Sequence, residues 1–540
     1  MADEQDYEQE EGYEESYVDP RSRLPRWLAE TPYWAISAVL HAILILAIGS
    51  YVIYQKDQEE ISSKIYVKQQ YKPPEYDPTK KRAMRRKPEI LEELKKKPLI
   101  KLKPDQITPT IPKGTDERNL TNKNLRDNWV NDAFGTGSGA AGAYGNRNGR
   151  GSLWREGGSE ATESAVLAAL MWLKRHQHPD GHWSSSDFFP QCRDPQNPCG
   201  MKDKGKAYTN GTGFEGYDVG VTALAMLAYL GYGHTHVNGE YREFKEVMRR
   251  AMEWMNAQQV KSSDPQINGV FGKTDVDEWI YNHAIATMAM AELLVISRDV
   301  FSLSKSVEAA TEYCLRAQNE KYGWRYKYRG GKNDTSVTGW MVLALKTAKA
   351  CSEGRLIKID KNRFKQHFEW ALTWFERATS KMTGVTGYTT PGDEGSRLQK
   401  IYPEPYPFSK SLSCMTAVAM LCRLFAGESQ RSDSIKRAVG VLMKEPPTWR
   451  EARGKRKSKI NIYYWYYASY AMFQYGGPQW RSWNKDMIEA LVPTQRVAGC
   501  EDGSWDPIGE WGASGGRVYA TAIGAMTLEV YYRFLRQSEL

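Results

Sequence analysis

The sequence predicts an all-α protein: an α/α toroid of six to seven inner and outer helix pairs, preceded by one transmembrane helix and a disordered tether. Two observations predict the toroid. Small-residue apolar segments recur along residues 159–540, and amphipathic helical segments alternate with them. A third, an uncharged run near the N-terminus, predicts the membrane span. With 41% hydrophobic and 26% charged residues, the 540-residue chain can bury a large core, which excludes a wholly disordered or disulfide-scaffold protein.

Residues 1–32 hold three Arg against ten Asp or Glu, a net −7 with little aliphatic surface, and read as a disordered acidic tail. The transmembrane helix falls at 33–54. Trp34 to Tyr54 carries no formal charge, and at about 1.5 Å rise per residue it crosses a hydrocarbon core of about 30 Å. Tyr33, Trp34, Tyr51 and Tyr54 stand at its ends, where interfacial aromatics belong. Residues 55–130 form a basic, Pro-rich tether, in which 64–113 hold 15 Lys or Arg against six acids. Residues 131–158 are a Gly-rich lead-in to the toroid domain at 159–540. Gly137, Gly139 and Gly142 fit G-x-G-x-x-G, but no strand precedes them, so no dinucleotide site is expected. The remaining charge, +9 spread over residues 114–540, is too dilute to predict a nucleic-acid partner.

The apolar helices are expected to begin near Ala161, Asp218, Asn282, Asp334, Leu412, Tyr464 and Arg517. Each is apolar nearly all round, which places it in an inner layer buried on every side. Between them, RFKQHFEWALTWF sets Phe364, Phe368, Ala371, Leu372 and Phe375 on one face and leaves Lys365, Gln366 and Glu369 to water. YREFKEVMRRAMEWM repeats that plan with Phe244, Val247, Met248, Ala251 and Met255. Units close on a Gly beside an aromatic: Gly181 and Trp183, Gly269 and Phe271, Gly323 and Trp324, Gly387 and Tyr388, Gly503 and Trp505. Such alternation is satisfied by a closed ring whose inner helices share one core.

Gln177, Gly181 and Trp183 form Q-x-x-x-G-x-W, and QRVAGCEDGSW echoes it. These resemble the repeat of the terpene cyclase and protein prenyltransferase superfamily, over residues 159–540. DTSVTGWMVLAL and the C-terminal GGRVYATAIGAMTLEVYYRF are similar to bacterial proteins named for prenyltransferase and squalene-oxidase repeats. The resemblance implies the toroid and an isoprenoid or other apolar ligand. It does not carry the activity. Class II cyclases use D-x-D-D-T, whereas DTSVT offers Asp334 without a second or third acid. Asp277 and Glu278, with Asp275 in DVDEW, are a further acidic cluster, for which an acidic first helical turn is the commoner explanation. Asp277, Glu278 and Asp334 are therefore candidate acids without a supporting motif.

The prenyltransferase zinc set of Asp, Cys and His is absent as normally placed, because no His follows His367. His176, His178, His182, Cys192 and Cys199 hold enough metal-ligating groups for four ligands, at nonstandard spacing. A Cys192–Cys199 disulfide or plain loop residues are the alternatives, and no cofactor is expected. For ligand binding, Asp218, Asn282 and Asp334 read as one repeat position, with His283 beside Asn282, gathered at a common mouth; helix capping explains the same residues. Tyr464, Trp465 and Tyr467, from an aromatic run, suit an apolar or cationic ligand or simple packing.

Within the span, Ser37 and His41 stand one helical turn apart. This pair resembles the anchor helix of TonB-type energy transducers, and the resemblance implies a proton-channel complex as partner; a neutral His tolerated in a single span explains it too. The expected protein is thus single-pass in the cytoplasmic (inner) membrane, its toroid on the extracytoplasmic side, binding a ligand or partner in or on a central cavity. The alternatives are an isoprenoid enzyme with a noncanonical site and an envelope component coupled to a proton channel.

Overall fold

The computed structural model describes His41 and residues 157–192, 199, 211–239, 241–275, 279–393, 408–409, 411–451 and 457–533. The chain divides into two units, Met1–Glu75 and Tyr76–Leu540, and of the first only His41 is described. The acidic tail, the tether and most of the expected span and Gly-rich lead-in lie outside the described residues, as do Ser37, Asp277 and Glu278.

The second unit is helical, and among its described residues there are isolated bridges but no strand. Among the described residues six helices form an inner layer: α2 (Asp218–Gly231), α4 (Trp279–Ser297), α6 (Thr335–Glu353), α8 (Ser413–Phe425), α10 (Ile462–Tyr475) and α12 (Gly512–Leu528). Each packs on the next, and α12 packs back on α2, which closes the ring. Six more stand outside it: α1 (Glu160–Arg175), α3 (Arg242–Ala257), α5 (Val300–Ala317), α7 (Arg363–Arg377), α9 (Asp433–Leu442) and α11 (Gly477–Leu491). The sequence patterns explain the division. In α2 every residue from Val219 to Gly231 is buried, whereas α7 buries Phe364, Phe368, Ala371, Trp374 and Phe375 and turns Lys365, Gln366 and Glu369 outward.

The helix starting near Ala161 departs from the expected inner placement. As α1 it packs outside α12 and α2, and it is not one of the inner helices among the described residues. Glu160, Ser164, Met171, Lys174 and Arg175 keep a partly wet stripe at helical spacing. The rest of α1 is covered by neighbours, so a small, apolar outer helix carries the composition of an inner one.

Glutamines in four of the unit-closing turns tie a unit to the next outer helix. Gln177 Nε2 donates to Gly181 O at 2.8 Å within its own turn and to Val247 O of α3 at 2.9 Å. Gln259 reaches Ser306 O of α5 at 2.8 Å, and Gln318 reaches His367 O of α7 at 3.0 Å. Gln495 repeats the arrangement across the seam, donating to Gly503 O at 2.7 Å and to Ala165 O of α1 at 2.8 Å. The last turn therefore treats α1 as its next outer helix. Gly503 has φ +97°, and an added Cβ would sit 2.1 Å from Ala168 O; Gly181 holds the same place against Arg250 O of α3.

At the C-terminal ends of the inner helices the ring is bottomed by charge. Arg533, in the short helix α13 (Val530–Arg533), donates from Nη2 to both Glu292 carboxylate oxygens at 2.9 and 3.0 Å. Its Nη1 reaches Leu227 O at 2.7 Å and Glu529 Oε2 at 3.2 Å, and all three charged side chains are fully buried. The helix α4 is long and apolar enough to cross a membrane, yet 83% of that stretch is buried within the body as a core helix.

Two substitutions test this closure by equilibrium unfolding of the full chain. Gly503→Ala, which must force both φ and the Ala168 carbonyl, is expected to destabilise by about 3 kcal/mol. Arg533→Met strands two buried carboxylates and is expected to cost about 3–5 kcal/mol.

Candidate functional site

The N-terminal ends of the inner helices face the turns that precede them, and a repeated hydrogen bond sets their register. The backbone N–H of Trp183 donates to Thr222 Oγ1 at 2.9 Å, that of Trp324 to Thr338 Oγ1 at 3.1 Å, and that of Trp505 to Thr521 Oγ1 at 3.3 Å. In α4 the acceptor is His283, whose Nδ1 takes the Phe271 N–H at 3.1 Å. Its proton therefore sits on Nε2, 3.4 Å from Cys314 Sγ. Burial pushes His283 down to about 3, so it stays neutral. This histidine is a buried structural acceptor and is not grouped with ligand-facing residues.

The same register separates Asn282 from the position it was expected to share. Asp218 and Asp334 stand four residues before Thr222 and Thr338, but Asn282 immediately precedes His283, nearly one turn further along. Asn282 donates to Gly216 O at 2.8 Å, and Asp218 accepts from the Ser185 N–H at 2.8 Å; both brace the α2 entrance.

Asp334 differs from these. Its Oδ1 accepts the Val337 N–H at 2.7 Å as the N-cap of α6. Its Oδ2 is buried without a hydrogen-bond partner, and Arg325 Nε stands 3.7 Å away. Burial raises its carboxyl to about 7, with the Val337 N–H, Arg325, the Tyr388 hydroxyl and the Ser336 N–H only partly opposing. The Tyr326 and Tyr388 hydroxyls meet beside it, with the Arg325 guanidinium 5.3 and 5.7 Å from their ring centroids. Burial also raises Tyr326 to about 12, so these phenols remain neutral donors.

Aromatic faces continue from this acid into the ring. Ser336 Oγ lies 2.8 Å from the Tyr463 hydroxyl; the Tyr467 ring lies 5.1 Å from Tyr463 and 5.5 Å from Trp340. The Tyr467 hydroxyl is buried without a hydrogen-bond partner. Its neighbours in the aromatic run point elsewhere. Tyr464 donates to Glu445 O at 2.9 Å and meets Trp483 of α11 edge-on, while Trp465 packs against Trp449. Of the three expected from that helix, Tyr467 faces Trp340 of α6, the helix that Asp334 caps. Arg325, Tyr326, Tyr388 and Tyr463 were not among the sequence candidates, although W-R-Y-K-Y after a Gly at a unit's end is an unusual aromatic and cationic loop.

A second cluster lies at the ring seam. His176 Nε2 stands 3.5 Å from Cys192 Sγ, 3.4 Å from Cys199 Sγ and 3.4 Å from Cys500 Sγ, and the four ligand atoms lie within 4.8 Å of one another. All three sulfurs are free thiols, so no Cys192–Cys199 disulfide is formed. His178 and His182 are not part of this cluster. His178 Nε2 engages Asp187 O at 2.9 Å, and His182 Nδ1 pairs with Asp180 at 2.6 Å, on the partly exposed loop. Cys500, more than 300 residues along the chain, completes the group instead. In the first unit, His41 is helical and exposed.

No family model matches the chain, and no curated protein matches it. Among solved structures it is similar to the type II terpene cyclase MstE from Scytonema, at 14% identity and TM-score 0.39, over 69% of this chain and 97% of that one. A variant of that cyclase in complex with geranylgeranyl dihydroxybenzoate, its substrate, gives 14% identity and TM-score 0.37, over 69% and 97%. A protein from Actinoplanes gives 13% identity and TM-score 0.38, over 69% and 99%.

The buried acid has a pH signature. The folded chain holds the Asp334 proton up to about pH 7, whereas an unfolded Asp releases it near pH 4. Its stabilising contribution is fully present below about pH 4 and is lost as pH rises through 7. The stability of the native chain relative to Asp334→Asn, which keeps a capping side chain, is expected to fall on the order of 4 kcal/mol across that window in denaturant titrations.

Proposed function

We propose that the chain is a membrane-anchored α/α-ring protein that binds an apolar, unsaturated ligand of isoprenoid type at the N-terminal mouth of the ring. The observation that carries this reading is Asp334 Oδ2, a buried carboxyl oxygen without a hydrogen-bond partner and 3.7 Å from Arg325 Nε, at the start of the helix whose Ser336 meets the Tyr463 hydroxyl and whose Trp340 meets the Tyr467 ring. A buried unsatisfied polar atom costs about 1–3 kcal/mol, which a ligand hydroxyl would recover. A neutral carboxylic acid has one proton to donate and lone pairs to accept, so it suits an alcohol head group. Aromatic rings suit the alkenes behind it as large apolar surfaces for a polarisable hydrocarbon. The uncharged run Trp34–Tyr54 supplies the anchor in this reading.

Asp334 also supports a second reading, proton donation to an alkene in an isoprenoid enzyme. A carboxyl raised to about 7 is a weak acid, however, and alkene protonation calls for a strong one. Binding without turnover is the better fit. The proton-channel role of Ser37 and His41 is carried by the sequence resemblance alone.

The test uses full-length protein in detergent, incubated with geranylgeraniol and observed by native mass spectrometry, followed by extraction and chromatography. The alcohol is expected to bind one per chain and return unchanged. Asp334→Asn is expected to weaken it about tenfold, the equivalent of one hydrogen bond of ~1.4 kcal/mol. Recovery of an isomer of equal mass at a new retention time would establish the enzyme instead, and no retention of the alcohol would end the isoprenoid reading.

A further inference from the structure

We propose that His176, Cys192, Cys199 and Cys500 bind one zinc ion, which fastens the first helical unit of the ring to the last. The group is independent of the Asp334 site. A tetrahedral ion with zinc–sulfur bonds of about 2.3 Å and a zinc–nitrogen bond of about 2.0 Å sets its ligand atoms roughly 3.5–3.8 Å apart. The three nitrogen-to-sulfur separations, 3.5, 3.4 and 3.4 Å, match the nitrogen-to-sulfur edges of that tetrahedron, and all four ligand atoms lie within 4.8 Å of one another. Three thiols and an imidazole are a zinc donor set, and four protein ligands leave no open position for water, so the site is structural rather than catalytic.

The surroundings are built for coordination. His176 donates from Nδ1 to Trp172 O at 2.8 Å, which fixes the tautomer and leaves the Nε2 lone pair directed at the sulfurs. Its ring stacks on Trp172 with centroids 4.1 Å apart, so the imidazole cannot swing. The Cys199 backbone N–H points at Cys192 Sγ at 3.4 Å, a donor that favours a thiolate over a thiol. On binding, the ion takes three thiolates, three protons leave to solvent, the imidazole stays neutral, and the centre carries a net −1.

Position gives the role. His176 caps α1, Cys192 and Cys199 lie on the chain between α1 and α2, and Cys500 lies in the turn between α11 and α12. A bond through the ion joins residues 324 apart in sequence, across the seam already bridged by Gln495 and by the Arg175 donation to Asp502 O at 2.6 Å. Closing so long a loop is where a metal clip restrains the unfolded chain most.

The test is the metal content of full-length protein purified in detergent under reducing conditions. One zinc per chain is expected in the native protein and in His178→Ala with His182→Ala, whereas Cys500→Ala is expected to lose at least tenfold. Chelation is expected to lower the thermal midpoint by about 5 °C or more, and added Zn²⁺ to restore it. Should Cys500→Ala fail to fold, the native chain still decides: replacement by Co²⁺ must give thiolate-to-metal charge-transfer absorption. A native chain with reduced thiols that carries no zinc and takes up neither ion overturns the proposal. So does an intact mass two hydrogens low with Cys192 linked to Cys199.

Discussion

The structure depends on one constraint, that the last inner helix must find the first. α12 packs on α2, and the turn before α12 treats α1 as the outer helix that follows it. An open array of helix pairs would leave an apolar inner helix exposed at each end, and such arrays in other proteins need polar capping repeats. Here neither end is capped because neither end exists. The seam carries more than packing: a glutamine clamp, a glycine pressed against a backbone carbonyl, an arginine on the opposing turn, and a cluster of thiols and imidazole drawn from both sides.

The two ends of the ring have different chemistry, and the direction of the inner helices accounts for it. Their C-terminal ends gather unsatisfied carbonyls, which favour cations. Arg533 answers at Leu227 O and Lys346 at Phe425 O, and two carboxylates then balance the arginine. Their N-terminal ends present N–H groups, which favour carboxylates and hydroxyls. Asp334 serves there, the threonines of the repeat accept from the turns, and that is also where the turns deliver Tyr326, Tyr388 and Arg325. A polar site at that mouth follows from the fold's orientation before any particular ligand is considered.

The architecture was legible because its signal is local. An inner helix buried on every side must be apolar all round, and an outer one must keep a wet face, so both could be read from a dozen residues at a time. Where coverage came from distant chain, local reading failed. α1 is outer yet apolar because α12, α2 and the seam turn cover it. Asn282 resembled Asp218 and Asp334 in type, but the register is set by the turn's N–H acceptor, and in α4 a histidine replaces the usual threonine. The site was legible only in part for the same reason. Asp334 stood out as an acid opening an apolar helix, whereas Tyr326, Tyr388 and Tyr463 reach it from three other segments. Cys500 lies too far from His176 along the chain for any spacing rule, and His178 and His182 were nearer in sequence but turned to the loop.

The buried arginine at the bottom of the ring bears on how the chain is made. Glu292 lies mid-chain, and its partner Arg533 lies in the last described turn. Through nearly half of translation, a ribosome displays a carboxylate destined for a dry interior whose counterion has not yet been synthesised. Domains tend to fold from the N-terminal side as they emerge, but this one cannot settle early without enclosing Glu292 before its arginine is made. Premature stops or clipping near the C-terminus would therefore produce chains that are long, largely helical and unable to complete their interior, which marks them for degradation.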